Sequence, residues 1–116
     1  MDGTFRLAGR RAWVAGHRGM VGSALCRALA ARGDVALLTV DRATLDLRRQ
    51  AEVEDWMAEA RPEAVVLAAA KVGGIMANAT YPADFLYDNL AIEANVIAAA
   101  HRIGVAKLLF LGSTCI

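Results

Sequence analysis

The stretch that decides the fold reads Ala15-Gly16-His17-Arg18-Gly19-Met20-Val21-Gly22. Each of its glycines has a physical task. Gly16 lets the chain turn off a strand, Gly19 lets the backbone come close to a pyrophosphate, and Gly22 lets the next helix pack against the sheet. The free N–H groups and the positive dipole end of that helix then face the phosphates. A glycine triplet alone is weak evidence in a chain with 10 glycines, but an apolar run before it and a helical pattern after it predict a dinucleotide-binding turn.

Apolar runs and helical patterns alternate along the rest of the chain. The predicted strands cover 11–15, 35–40, 64–68 and 107–111, and the predicted helices cover 21–32, 47 or 48 to 60, and 82–102. Gly33, Pro62 and Gly104 stand just after these helices as stop signals. The alternation implies right-handed crossovers and a parallel sheet with helices on both faces. We therefore predict an α/β fold of the Rossmann type whose pattern ends with the fourth strand.

Length and composition exclude several classes of protein. The 116 residues are enough for one domain, and 57% hydrophobic with 22% charged residues argues against disorder. A net charge of +1 gives no bulk attraction to nucleic acid or to an anionic membrane. Cys26 and Cys115 have neither metal-like nor disulfide-framework spacing, so we expect no metal, a buried Cys26, and a reducing cytoplasm. No signal peptide is evident at the N-terminus, and the most apolar run, 64–70, is far shorter than a membrane span.

The residues near the end of the second predicted strand bear on the choice of cofactor. An acidic residue there binds the ribose 2′-hydroxyl of NAD, whereas arginines pair with the 2′-phosphate of NADP. The sequence offers both, because Asp41 stands beside Arg42 and Arg18 lies in the glycine turn. Two arginines converging from separate loops favour NADP, and Asp41 points the other way.

Four segments of the chain resemble the GDP-L-fucose synthase family, which belongs to the extended short-chain dehydrogenase/reductases. They read AGHRGMVGS at 15–23, AAAKVGGI at 68–75, YPADF at 81–85 and KLLFLGSTCI at 107–116. The glycine pattern alone indicates only the superfamily, while the loop 71–75 and the Gly-Ser-x-Cys ending are far more specific. The resemblance covers essentially the whole chain and the first third or so of the usual family length.

The resemblance implies an NADP-dependent enzyme that epimerises GDP-4-keto-6-deoxy-mannose at C3 and C5 and reduces it at C4. Ser113 then corresponds to the serine that hydrogen-bonds the reacting carbonyl oxygen, and Cys115 to the acid/base of epimerisation. Arg18 and Arg42 correspond to ligands of the 2′-phosphate. The residues expected to bind NADP(H) are Gly16, His17, Arg18, Gly19, Met20, Val21, Gly22, Arg42, Asp46, Leu47, Ala69, Leu111 and Gly112.

Parts of the expected catalytic machinery are missing from this sequence. Reduction in the superfamily needs a tyrosine followed four residues later by a lysine, and the residues four places after Tyr81 and Tyr87 are Phe85 and Ala91. The second epimerisation residue, a downstream histidine, and the substrate domain are also absent. We therefore expect residues 1–116 to form the N-terminal part of an NAD(P)-binding domain that is inactive alone.

The resemblance also implies a homodimer formed through the helix 82–102. Two other functions stay open at this point. One is a non-catalytic dinucleotide-binding module, and the other is a different nucleotide-sugar epimerase or dehydratase of the same superfamily. Cys115 and the loop 71–75 argue against the second of these.

Overall fold

The computed structural model describes residues 5–68 and 82–111. The elements in chain order are β1 (Arg11–Ala15), α1 (Met20–Arg32), β2 (Ala36–Leu38), α2 (Gln50–Ala60), β3 (Ala64–Leu67), α3 (Pro82–Ile103) and β4 (Lys107–Phe110). The predicted alternation of strands and helices is confirmed in this part of the chain. The loop expected over 69–80 lies outside the described residues.

The four strands form one parallel sheet in the order β2-β1-β3-β4. Ala12 of β1 is paired with Leu37 on one side and with Ala64 on the other. The chain moves outward from β1 to β2 and then returns across β1 to β3. This reversal opens a crevice between the carboxyl ends of β1 and β3, which is where open α/β sheets bind their ligands.

Helices cover both faces of the sheet, which confirms the predicted fold class. Because right-handed crossovers that run in opposite directions emerge on opposite faces, α1 packs on β1 and β2 from one side while α2 and α3 pack together on the other. Side chains alternate along each strand, so Trp13 and Ala15 face α2 and α3. The core on that face contains Trp13, Ala15, Leu45, Val53, Met57, Val65, Leu67, Ile92, Val96, Ala99 and Ala100.

The ends of the first two helices follow the predicted stop signals. Gly33 caps α1 with φ 74°, a left-handed conformation that favours glycine. Arg61 caps α2 in the same region, with φ 51°, and its N–H donates to the Met57 carbonyl oxygen at 2.9 Å. Pro62 follows at once, so the helix ends where the sequence predicts.

Two boundaries between β1 and α2 differ from prediction by two residues or more. β2 ends at Leu38 instead of residue 40, because the chain turns at Asp41, whose carbonyl oxygen accepts the N–H groups of Thr44 and Leu45 at 2.9 Å. α2 begins at Gln50 instead of 47 or 48, because the Asp46 carboxylate holds the next residues in a turn.

Two further findings concern the burial of Cys26 and the search for a membrane-spanning helix. Cys26, expected to be buried, is only partly buried in α1. Desolvation nevertheless raises the pKa of its thiol, against the opposing effect of the Arg27 charge. Within the ranges that the structure describes, no helix combines the length and apolar character needed to cross a bilayer.

Candidate functional site

A cleft of about 940 Å³ opens at the carboxyl ends of β1 and β3. It lies at the point where the strand order reverses, and its volume falls in the range of small-molecule sites. One wall is the glycine turn and another is the segment between β2 and α2. The lining also includes Ala68 after β3 and two residues of α3, Asp88 and Ile92.

The glycine turn is fixed by contact between its own backbone segments. Gly16 has φ 95°, which other residues rarely adopt. A Cβ placed on Gly22 would overlap the Gly16 carbonyl oxygen and lie 2.8 Å from the Gly16 carbonyl carbon. Gly22 is therefore needed because α1 packs on the turn itself, whereas the sequence had suggested packing on the sheet. A Cβ on Gly19 would lie 3.5 Å from the same oxygen, an ordinary contact, so the fold itself does not require glycine there.

The N-terminus of α1 lies at the cleft, because its N-cap residue lines it. Gly19 is the N-cap residue, and no described side chain caps the helix. The Ser23 N–H makes the first helical bond, to the Gly19 carbonyl oxygen at 2.8 Å. The N–H groups before it have no partner within an ideal helix, and the first turn contains no acidic residue. The positive end of the helix dipole is thus free to bind an anion.

Three charged or titratable side chains meet beside this turn. The Asp41 Oδ1 atom lies 3.0 Å from Arg18 Nη2 and 3.3 Å from His17 Nε2. Arg42 lines the cleft next to Asp41. The structure therefore brings Arg18 and Arg42 to one cleft, as the sequence predicts, and it also places Asp41 against Arg18.

A second charged group holds the rim of the cleft between β2 and α2. Asp46 Oδ1 accepts the backbone N–H and the Nε–H of Arg48, both at 3.0 Å, and Oδ2 accepts Nη2 at 3.0 Å. The hydrogen bond from the Arg48 side chain lowers the pKa of Asp46 and outweighs the opposing effect of burial. Asp88 Oδ2 lies 3.7 Å from Arg48 Nη1, and Asn95 Nδ2 donates to the Leu47 carbonyl oxygen at 2.9 Å. α3 thereby fixes this segment.

The structure places most of the predicted cofactor-binding residues at the cleft. Its lining includes Gly16, His17, Arg18, Gly19, Arg42, Asp46 and Leu47. Met20 and Val21 are exposed in the first turn of α1, and Gly22 is buried beneath the glycine turn.

The remaining predicted site residues are not among the cleft residues that the structure describes. Leu111 follows β4, donates its N–H to the Leu67 carbonyl oxygen at 3.2 Å, and is not among the described lining residues. Ala69, Gly112, Ser113 and Cys115 lie outside the described part of the chain, so their roles stay predictions.

Sequence reasoning missed several residues of the cleft wall. Trp13, Leu45, Arg48, Asp88 and Ile92 all line it. Strand alternation could have identified Trp13, because it shares a face with Ala15 at the end of β1. Its side chain is buried, its Nε1 atom has no acceptor among the described residues, and its ring lies 4.5 Å from that of Trp56. Asp88 and Ile92 depend on how α3 crosses the sheet, and Leu45 and Arg48 depend on the turn before α2, neither of which a short motif predicts.

Comparison with known proteins shows a family match over most of the chain and similar proteins that share one name. Residues 12–116 match the profile of the NAD dependent epimerase/dehydratase family. A GDP-L-fucose synthase of Sinorhizobium fredii is 59% identical over 112 residues, which is 97% of this chain and 35% of that protein. The GDP-L-fucose synthase of Escherichia coli is 58% identical over 107 residues, 92% of this chain and 33% of that protein. The chain thus spans about a third of the length of these relatives.

A solved structure shows the same arrangement of elements. The GDP-mannoheptose C4 reductase MlghC of Campylobacter jejuni, with NADP bound, superposes with a TM-score of 0.86 at 38% identity. The match covers 94% of this chain and 34% of that one.

Proposed function

Since the chain belongs to the NAD dependent epimerase/dehydratase family, we propose that it is the NADP(H)-binding part of a GDP-L-fucose synthase. The observation that carries the proposal is its 59% identity, over almost the whole chain, to a GDP-L-fucose synthase. The complete enzyme would convert GDP-4-keto-6-deoxy-mannose to GDP-L-fucose by epimerisation at C3 and C5 and reduction at C4. The likeness to a GDP-sugar reductase with NADP bound supports the nucleotide-sugar substrate and the cofactor.

The residues of the cleft fit both the pyrophosphate and the 2′-phosphate of NADP(H). The open N-terminus of α1 and the close approach allowed at Gly19 suit a pyrophosphate. Arg18 and Arg42 provide guanidinium groups for a 2′-phosphate, and the Asp46 carboxylate provides an acceptor for an amino group on the base. When bound, NADPH supplies the hydride for reduction, and these residues hold and orient it.

Ser113 and Cys115 remain the proposed catalytic residues. Protons on carbon atoms next to a ketone are acidic enough for a thiolate to remove them, which suits Cys115 to epimerisation. Ser113 would donate a hydrogen bond to the reacting carbonyl oxygen. Both follow β4, whose carboxyl end lies at the same edge of the parallel sheet as the cleft.

A deuterium-exchange experiment on the full-length protein tests this function. In deuterated water, the unsubstituted protein should introduce deuterium at C3 and C5 of GDP-4-keto-6-deoxy-mannose, and Cys115→Ala should stop it. Cys26→Ala is the matched control and should exchange normally, because Cys26 lies in α1 with its pKa raised by desolvation. Normal exchange by Cys115→Ala would remove Cys115 from the mechanism, and absence of exchange in the unsubstituted protein would contradict the proposed activity.

The assembly and the compartment are part of the same proposal. Leu86, Tyr87, Leu90 and Ile97 are exposed on α3, and a second copy of the chain packed there would cover them. We propose a homodimer formed through this helix, in the cytoplasm.

A further inference from the structure

Arg48 holds the Asp46 carboxylate at the rim of the cleft. The backbone N–H and the Nε–H of Arg48 donate to Asp46 Oδ1, and Nη2 donates to Oδ2, each at 3.0 Å. Hydrogen bonds to both oxygens fix the plane of the carboxylate. Both residues line the cleft, and the Asp46 side chain is 26% exposed, so a ligand in the cleft can reach it.

This pairing leaves one acceptor position of the carboxylate open. Each oxygen of an ionised carboxylate accepts about two hydrogen bonds. Oδ1 already accepts two, both from Arg48, whereas Oδ2 accepts one from the described residues. Arg49 Nε lies 3.8 Å from Oδ2, which is beyond hydrogen-bond distance. Arg48 therefore restricts the acceptor available to a ligand to the second position on Oδ2.

Helix α3 contributes a second carboxylate to the same guanidinium group. Asp88 Oδ2 lies 3.7 Å from Arg48 Nη1, and the Asp88 side chain is only 13% exposed. Asp88 also lines the cleft. The Arg48 guanidinium thus lies between two carboxylates, one on the segment before α2 and one on α3, so its position depends on how α3 packs against that segment.

We propose that Arg48 is a positioning residue that orients the Asp46 carboxylate toward the amino group of the cofactor's adenine, and that Asp88 holds Arg48 in place. The inference rests on the proposed cofactor site and adds to it the group that orients an acceptor. Arg48 acts through orientation and not by ionising Asp46, because an aspartate with the ordinary pKa of about 4 is ionised at neutral pH without any arginine.

The experiment is calorimetric titration of the full-length protein with NADPH and with its hypoxanthine analogue, in which a carbonyl oxygen replaces the adenine amino group. The unsubstituted protein should bind NADPH more tightly, because a carbonyl oxygen cannot donate to Asp46. In Arg48→Met, which keeps an unbranched side chain without donors, the dissociation constant of NADPH should rise about fivefold, as expected for one lost hydrogen bond. That of the analogue should change by less than about twofold, since it makes no such bond.

Two other variants check which residue acts. Arg49→Met is the matched control, because Arg49 also lies near Asp46 Oδ2 but makes no described hydrogen bond to it and is not among the described lining residues. It should keep the unsubstituted ratio of the two dissociation constants. Asp88→Asn should change the ratio in the same direction as Arg48→Met and by a smaller factor, because Asp88 acts only through Arg48.

Combination with Asp46→Ala tests the route of the effect. Once the carboxylate is removed, Arg48→Met should leave the ratio unchanged. A full change of the ratio in that background would overturn the inference, as would a change in Arg49→Met or none in Asp88→Asn. Equal weakening of both dinucleotides in Arg48→Met, or no weakening of NADPH, would overturn it while leaving the proposed function intact. Absence of NADPH binding to the unsubstituted protein would overturn both.

Discussion

Two glycines of the same turn serve different purposes. Gly22 has no room for a Cβ because the Gly16 carbonyl group occupies that space, whereas Gly19 has room for one. Gly19 also has φ −73°, which any residue can adopt. Gly22 is therefore required by the fold, and Gly19 is needed only where a pyrophosphate approaches the backbone.

Substitution by alanine should separate these two roles. We expect Gly22→Ala to lower the free energy of unfolding by about 1–3 kcal/mol, as overpacking does, and to weaken NADPH binding by displacing the turn. Gly19→Ala should weaken NADPH binding while lowering the free energy of unfolding by no more than about 1 kcal/mol, the usual cost of alanine at an N-cap position. Urea denaturation and calorimetric titration measure the two quantities. A Gly22→Ala protein as stable as the unsubstituted one would contradict the packing described here.

Asp46 connects the rim of the cleft to the pH dependence of stability. Hydrogen bonds from Arg48 lower the pKa of Asp46 in the folded protein. A lowered folded pKa means that the ionised carboxylate stabilises the fold. That contribution is complete above the ordinary aspartate pKa, about 4, and is lost as the pH falls through the folded value.

The corresponding test compares the unsubstituted protein with Asp46→Asn. We expect the variant to be less stable by a constant amount between about pH 5 and 7, and the difference to shrink below about pH 4. Urea midpoints measured across this range give the difference directly, with other carboxylates cancelling between the two proteins. A difference that grows as the pH falls would show that Asp46 is not stabilised in its ionised form.

At the scale of the elements, α3 has two apolar faces. One packs into the core through Ile92, Val96, Ala99 and Ala100. The other carries the four exposed apolar side chains on which the proposed dimer depends. A helix that packs only on the sheet of its own chain needs only the first of these apolar faces.

A charge on the second face tests the dimer. Leu90→Arg should convert the full-length protein from a dimer to a monomer, because a guanidinium group would be buried in the interface without a partner. Ala30→Arg, at an exposed position of α1, is the control and should remain dimeric. Light scattering coupled to gel filtration gives the mass. An unsubstituted monomer, or a dimeric Leu90→Arg protein, would contradict the proposal.

The sequence predicted elements better than their boundaries. β1 matches the prediction residue for residue, because an apolar run ends abruptly at Gly16. The predicted end of β2 and the predicted start of α2 were wrong, because hydrogen bonds at Asp41 and Asp46 determine them and neither bond is visible as a periodicity. The glycine turn was also predictable, because its signal lies in neighbouring residues of the sequence. The ion pair of Asp41 with Arg18 was not, since it joins two loops that only the pairing of β1 with β2 brings together.

At the scale of the whole molecule, strand order creates the cleft. Alternating strands and helices predict a parallel sheet, but they do not say which strand lies beside which. The order β2-β1-β3-β4 places the ends of β1 and β3 side by side, and α3 then closes the cleft from one face. The site therefore depends on contacts between segments far apart in the sequence, which is why its glycine motif was predicted and the wall residues on α3, Asp88 and Ile92, were not.

The contact between Trp13 and Trp56 gives the protein a built-in optical signal. These are the only two tryptophans of the chain, and their ring centroids lie 4.5 Å apart at an interplanar angle of 48°. All indole emission of the chain thus comes from one pair of rings in contact, which joins β1 to α2. Because Trp13 also lines the cleft, a dinucleotide entering it would quench this light, while unfolding would separate the rings and move the emission to longer wavelength.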